Sequence, residues 1–287
     1  MINLFRRIFL RIHRWWWMND AQYREGGVWI LQRYFEKKGD NASDFFDNFR
    51  GELLRMAEND IHLLQYHRSH ILKSIDLVDF FNLDRQSLIV DVGGFDGEVA
   101  KIFAQSLPES TVLTFEPVNS TFNNLLKTIS GIKNIRAYNF GLGSCVKTSV
   151  INKTDNVSSS SLIAVDSAIG DEFFSKNLKV NDTEEITVRT LDTEIAVGEL
   201  VNILKIDVQG YEMEVLLGAE QTLSRTNIVL VEMQNHQFYK NAPQYHEIDS
   251  FLLSKNFVLF DIMPALRKKR KLYEWDAIYV KDTLARA

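Results

Sequence analysis

Cys145 is the only cysteine in a chain of 287 residues. No internal disulfide can form, which points to a reducing compartment. No motif supports Cys145 as a catalytic thiol, so a small buried filler is its expected role. Positive charge is also scarce. The 33 Lys and Arg are outnumbered by 38 Asp and Glu, giving a net charge of −5. Nucleic-acid binders are normally basic, so nucleic acid is not an expected partner. No apolar run approaches the roughly 20 residues that span a bilayer. Arginines interrupt the start, "MINLFRRIFLRIHRWWWMND", and no small-residue cleavage site follows, so it reads poorly as a signal peptide.

That same start has a helical pattern. Ile2, Phe5, Phe9, Ile12 and Trp16 recur every three to four residues, with Arg7, Arg11 and Arg14 on another side. A basic amphipathic helix carrying tryptophans suits a membrane interface. It equally suits docking on the chain's own domain or on a second copy. The expected location is cytoplasmic, with peripheral membrane contact at the inner surface or homo-oligomer contact through residues 1–20. Residues 1–85 as a whole read as an N-terminal helical extension. His62, His67 and His70 fall within it, but only the last two share a helix face, so packing or surface roles are expected.

From residue 86 the pattern changes to short strands alternating with amphipathic helices. Strand candidates are "SLIVDV", "STVLTFE", "NIRAYNF", "VNILKIDV", "NIVLVEM", "FVLFDI" and "DAIYV". Phe122, Leu125, Leu126 and Ile129 form one helical stripe; Val215, Leu216, Ala219 and Leu223 form another. Val/Ile/Leu-rich strands joined by helices predict an α/β fold with a parallel sheet covered on both faces. The last two strands are linked by "MPALRKKRKLYEW", too short for a crossover helix, and should pair as an antiparallel hairpin. Its "RKKRK" reads as a solvated hairpin loop. Residues 145–192 break the alternation and read as a flap near the ligand site.

The first strand runs into a loop poor in side chains, "SLIVDVGGFDGEV", where Gly93, Gly94 and Gly97 allow a tight turn and a close-lying ligand. Asp91, Asp96 and Glu98 surround the loop, Glu116 ends the second strand and Asp207 ends the fourth. A pyrophosphate would enter that acidic group with no nearby cation in sequence to offset it, which is costly in a partly desolvated cleft. S-adenosylmethionine has no phosphate and is net positive, and a helix N-terminus can receive its carboxylate. Glu116, a strand–helix–strand unit after Asp91, can accept both ribose hydroxyls. An NAD-dependent dehydrogenase on the same kind of sheet is the poorer fit.

The segments "VDVGGFDGEVA", "LTFEPVNSTFNNL", "NFGLG", "SSSSL", "VRTLDT", "LKIDVQGYEMEVLLGA" and "IVLVEMQ" resemble FkbM-type methyltransferases in order and spacing. The resemblance covers about residues 88–280. It implies a Rossmann-like class I methyltransferase fold, a seven-stranded mostly parallel sheet with an antiparallel last strand, following the N-terminal helical extension. It also implies methyl transfer from S-adenosylmethionine, usually to a hydroxyl of a sugar, glycan or secondary metabolite. By position, Asp91, Gly93, Gly94, Phe95 and Gly97 would form the cofactor loop. Glu116 would bind the ribose, Pro117, Asn119, Asn139 and Gly141 would border the adenosine, and Asp207 would lie near the transferred methyl. At Gln209 the chain departs from the family, which commonly has an acid there ("D-x-E-G-x-E").

Displacement at a sulfonium needs alignment above all, and an alcohol must also lose a proton. Asp207 is the first candidate base, followed by Glu212 and Glu232. His236 is favoured by its ordinary pKa. Glu212 could equally cap a helix. Oxygen ligands for Mg²⁺ from Asp207, Glu232 and Asn235 are the lesser alternative, and no metal is expected. A silent binding module keeping the fold is the competing function, with Gln209 its only support.

Overall fold

The computed structural model describes residues 61–154, 161–163, 180–235, 239, 242–268 and 271–286. Residues 65–287 fall in one compact unit.

Strands β1 (Leu88–Val92), β7 (Val201–Ile206) and β8 (Thr226–Gln234) are runs of Val, Ile and Leu, buried along nearly their whole length. Such strands have two apolar faces, which a sheet layered between helices can bury. They form the centre of a seven-stranded sheet with β2 (Thr111–Phe115), β3 (Ile135–Tyr138), β9 (Phe257–Lys268) and β10 (Lys271–Lys281). The order is β3-β2-β1-β7-β8-β10-β9. Only β10 is reversed, antiparallel to both β8 and β9. The expected hairpin is present, but its strands consume most of the stretch read as a loop.

Period-two alternation sends side chains to two separate cores. One face carries Val90, Leu204, Val229 and Tyr279, under Val215, Leu216, Leu223, Ile248 and Leu252. Those five come from α5 (Glu212–Leu217), α6 (Glu220–Ser224) and α7 (Tyr245–Ser254), while the short α4 (Leu191–Glu194) precedes β7. The stripe read as one helix is therefore shared by α5 and α6. The other face carries Ile89, Val112, Ile203 and Ile228, packed against α1 (Ile61–Phe80) through Ile71, Ile75 and Val78 and against α2 (Glu98–Ser106) through Phe103. In α3 (Asn119–Thr128) Leu125 is buried, whereas Leu126 of the same predicted stripe is 44% exposed.

The insertion forms a small second sheet. β5 (Lys147–Thr154) pairs antiparallel with β6 (Val180–Arg189), and β4 (Gly141–Leu142) runs parallel to β6. Ile151, Ile186 and Val188 pack on Val118 at the start of α3. Cys145 is exposed, not the buried filler expected, because it lies in the bend between β4 and β5 where no element covers it. Among the described residues no helix is long and apolar enough to cross a membrane. Residues 1–20 lie outside the described residues.

Candidate active site

The order in which strands are added to the sheet switches sides between the parallel neighbours β1 and β7, the place where open α/β sheets leave a crevice at their strand ends. The loop after β1 occupies it. Gly93 has φ +82°, and a Cβ there would sit 1.9 Å from the Asp207 carbonyl oxygen; a Cβ on Gly94 would sit 2.1 Å from Thr114 Oγ1. Both Gly93 and Gly94 donate their N–H groups to the Phe115 carbonyl, at 3.0 and 2.9 Å. These glycines therefore serve first to seat the loop against β2 and the Asp207 backbone.

Phe95, at φ +44°, turns its N–H toward Glu116 Oε2 at 3.1 Å. The other carboxylate oxygen, Oε1, accepts the Val118 N–H at 2.9 Å. Glu116 is thus fixed between two loops with lone pairs remaining for a diol. Burial pushes its pKa up to about 7, and the two backbone donors only partly offset this. Asn139 Nδ2 donates to the carbonyls of Glu116 and Pro117, at 3.0 and 3.1 Å, bracing the turn that presents the carboxylate. Gly141 lies against the Pro117 ring, and the Asn119 N–H donates to Glu184 of β6 at 2.9 Å. Four residues placed on the adenosine side by resemblance therefore surround one turn.

Lys205 escaped the sequence reading. Its ammonium is buried 3.2 Å from Asp91 Oδ1, 3.5 Å from Asp207 Oδ2 and 3.3 Å from the Gly93 carbonyl. Burial works against this charge, but Asp91 and Asp207 outweigh it and hold the pKa above the ordinary lysine value. Asp91, with 0% exposure, also accepts from Thr114 Oγ1 at 2.9 Å. The crevice is therefore less acidic than a count of its carboxylates implied. Glu98 is similarly paired, with Lys101 at 3.2 Å. A lysine inside the otherwise apolar "VNILKI" was the available signal, since a buried ammonium requires anionic partners.

A second polar group lies on the same sheet face. Asp207 Oδ1 and Glu232 Oε2 both accept from Gln209 Nε2, at 2.9 and 3.4 Å. Glu212 Oε1 accepts the backbone N–H groups of Val208 and Gly210, at 3.1 and 3.0 Å, so its carboxylate braces the loop after β7. Glu232 sits opposite Asp276 in the β8–β10 register, and Gln234 sits opposite Glu274. Burial, then the charges of Glu274, Asp207, Glu212 and Asp276, raise Glu232 well above the usual carboxylate range. Glu274 is pushed to about 8, by burial first and Asp276 next. From α1, His70 Nδ1 lies 3.3 Å from Asp276 Oδ2, which gives that histidine a packing role. His236 lies outside the described residues. Among the described residues no group of three or more His, Cys, Asp or Glu is placed to hold a metal ion.

A family model described as methyltransferase FkbM domain matches residues 91–259. The chain belongs to the FkbM methyltransferase family. It is also 30% identical over 149 residues to Methyltransferase 1 of Beauveria bassiana, a match covering 47% of this chain and 59% of that protein. Solved structures with a similar fold include two distant methyltransferases. One is a putative rRNA methylase from Clostridium thermocellum, with a TM-score of 0.43 and 11% identity over 73% of this chain and 93% of that one. The other is magnesium protoporphyrin IX methyltransferase from Synechocystis PCC 6803 with bound S-adenosylmethionine, with a TM-score of 0.38 and 12% identity over 83% and 94%. Likenesses this remote carry no argument about activity, and the fold class rests on the strand order itself.

S-adenosylmethionine is the cofactor of this family, and the donor set suits it. Glu116 offers a carboxylate for ribose hydroxyls, and the 29%-exposed Asp207 side chain is open to an ammonium. Lys205 is buried and its charge is already met by Asp91 and Asp207, which leaves little positive charge for a pyrophosphate.

Proposed function

We propose that this chain is an S-adenosylmethionine-dependent O-methyltransferase whose acceptor is a hydroxyl group on a sugar, glycan or secondary metabolite. The observation that carries this reading is the buried carboxyl group around Glu232, joined through the Gln209 amide to Asp207, whose backbone carbonyl abuts Gly93. When bound, S-adenosylmethionine supplies a methyl group already activated by its sulfonium.

The chain's own residues then have three tasks. Glu116 fixes the ribose and so the direction of the donor. Asp207, ion-paired with Lys205, holds the amino end. A buried carboxylate would accept the proton of the acceptor's O–H bond as that oxygen takes up the methyl group. Asp207 is ion-paired and Glu212 is bound by backbone amides. Among the described residues Glu232 has no cation partner, and burial with the neighbouring carboxyls of Glu274, Asp207, Glu212 and Asp276 raises its proton affinity, which makes it the favoured base.

Calorimetry with S-adenosylmethionine and with its demethylated product tests the cofactor. Heat with both is expected, and no heat with either refutes the reading. Transfer of a labelled methyl to a panel of sugars, glycans, phenols and RNA tests the acceptor. Label on a hydroxyl of a neutral small molecule or glycan supports the proposal; label only on RNA overturns it. For residues 1–20 we propose peripheral membrane contact or contact with a second copy. Flotation on anionic liposomes and sedimentation, each comparing the full chain with residues 21–287, should show a difference in one assay.

A further inference from the structure

The loop after β7 is strained at Gln209. This residue has φ +57°, in the left-handed region that favours glycine, and Gly210 follows at φ +95°. Such a cost persists where the surroundings fix the residue, and here every polar group of Gln209's side chain is engaged. Its Nε2 reaches Asp207 Oδ1 and Glu232 Oε2. Its Oε1 accepts from the Tyr239 hydroxyl at 3.0 Å. Its carbonyl accepts from Ser161 Oγ, the last serine of "SSSSL", at 2.7 Å. Tyr239 itself is buried against Gly210, where a Cβ would lie 3.0 Å from the ring.

The Tyr239 hydroxyl fixes the orientation of the amide. Because that hydroxyl donates to Oε1, the NH₂ group must face the two carboxylates. An acid at this position would instead put a third carboxylate 2.9 and 3.4 Å from two others, with the Tyr239 bond still demanding an acceptor. Beyond Glu232 the chain of contacts continues. Glu274 hydrogen-bonds Glu232, and Gln234 Nε2 donates to Glu232 Oε2 at 3.4 Å. Gln234 is 3% exposed and its Oε1 has no hydrogen-bond donor among the described residues.

We propose that Gln209 is the positioning residue of the acceptor side: its amide, clamped by Tyr239, ties the ion-paired Asp207 to the Glu232–Glu274 carboxyl pair and leaves that pair to take the acceptor's proton. The proposal rests on the O-methyltransferase reading above for its chemistry, but its geometry concerns residues of this chain alone. In the proton step the acceptor O–H breaks and the pair gains that proton, so the pair must begin the step with at least one carboxylate ionised. The groups facing Glu232 are Asp207 and Gln209 from the loop after β7, Glu212 from α5, Gln234 on its own strand, the Tyr239 hydroxyl, and Glu274 and Asp276 from β10. Asp276 is in turn paired with His70 of α1.

The test is a carboxyl titration of ¹³C-Glu/Asp-labelled protein by NMR, in wild type, Gln209→Met, Gln209→Glu and Tyr239→Phe, each with S-adenosylhomocysteine present. An N–H donor to a carboxylate lowers its midpoint. The pair's midpoint should therefore rise in Gln209→Met, rise further in Gln209→Glu, and rise in Tyr239→Phe, which leaves Gln209 in place but unclamped. All Gln209 variants keep a side chain at the same strained φ, so a purely structural role would change melting temperature and leave the midpoint still. An unchanged midpoint in Gln209→Met and Gln209→Glu overturns the proposal. If those variants do not fold, an unchanged midpoint in Tyr239→Phe does so. Loss of S-adenosylhomocysteine binding by the wild type would count against the cofactor reading instead, which keeps the two failures apart.

Discussion

Cofactor affinity should depend on pH through Glu116, and the structure gives the size of the effect. In the ligand-free protein its carboxyl titrates at about 7, because burial outweighs the Phe95 and Val118 amides. Ribose hydroxyls donate best to the ionised form, so binding should pull the group into ionisation. With a midpoint at about 7, roughly a tenth of the protein is competent at pH 6 and roughly nine-tenths at pH 8. Affinity for S-adenosylhomocysteine should accordingly weaken about tenfold from pH 8 to pH 6. Binding at pH 6 should also release close to one proton, measurable by calorimetry in buffers of different ionisation heat.

Glu116→Gln should flatten this component of the slope. It should also cost affinity, since a charge-assisted hydrogen bond contributes about 1.5–3 kcal/mol. Its amide NH₂ would moreover confront either the Phe95 or the Val118 N–H. Any titration of the ligand itself persists in the variant and so cancels in the comparison. Equal slopes in wild type and Glu116→Gln would refute the assignment of Glu116.

Lys205→Met leaves Asp91 buried without its cation and should destabilise the protein by about 3–5 kcal/mol in urea unfolding, with much of the loss recovered when Asp91→Asn is added; a neutral single variant would contradict the pairing. Gly94→Ala forces a methyl onto Thr114 Oγ1 and toward Leu125, so a loss of about 1–3 kcal/mol together with loss of cofactor binding is expected from melting and calorimetry. The folded-state pKa values of Glu116, Glu212 and Glu274 are raised to about 7, 7 and 8 from an ordinary 4.5, so the folded state holds more protons than the unfolded one between those values. Their contribution to stability is complete below about pH 4.5 and is lost as pH rises through 7 to 8. The ligand-free protein should therefore melt at a higher temperature at pH 5.5 than at pH 8, and a reversed order would contradict the burial of these groups.

Sequence alone determined the features that depend on neighbours along the chain. Hydrophobic runs flanked by amphipathic stretches set the strands and helices, and the short last connection set the antiparallel pair. The glycines after β1 and the acid after β2 marked the crevice at the strand ends, because both belong to one strand–helix–strand unit. What sequence could not determine was the state of charge within that crevice. Lys205 neutralises a loop 112 positions away, and only the parallel register of β1 and β7 puts the two together. Glu274 and Asp276 join Glu232 only because β10 enters the sheet reversed beside β8. Gln209 reads in sequence as a missing acid, yet in the fold it is an amide held between carboxylates by a tyrosine thirty positions on. Periodicity records which face a residue takes, whereas the energy of a buried charge depends on which other strands arrive at the same level, and that is fixed by packing of the whole domain.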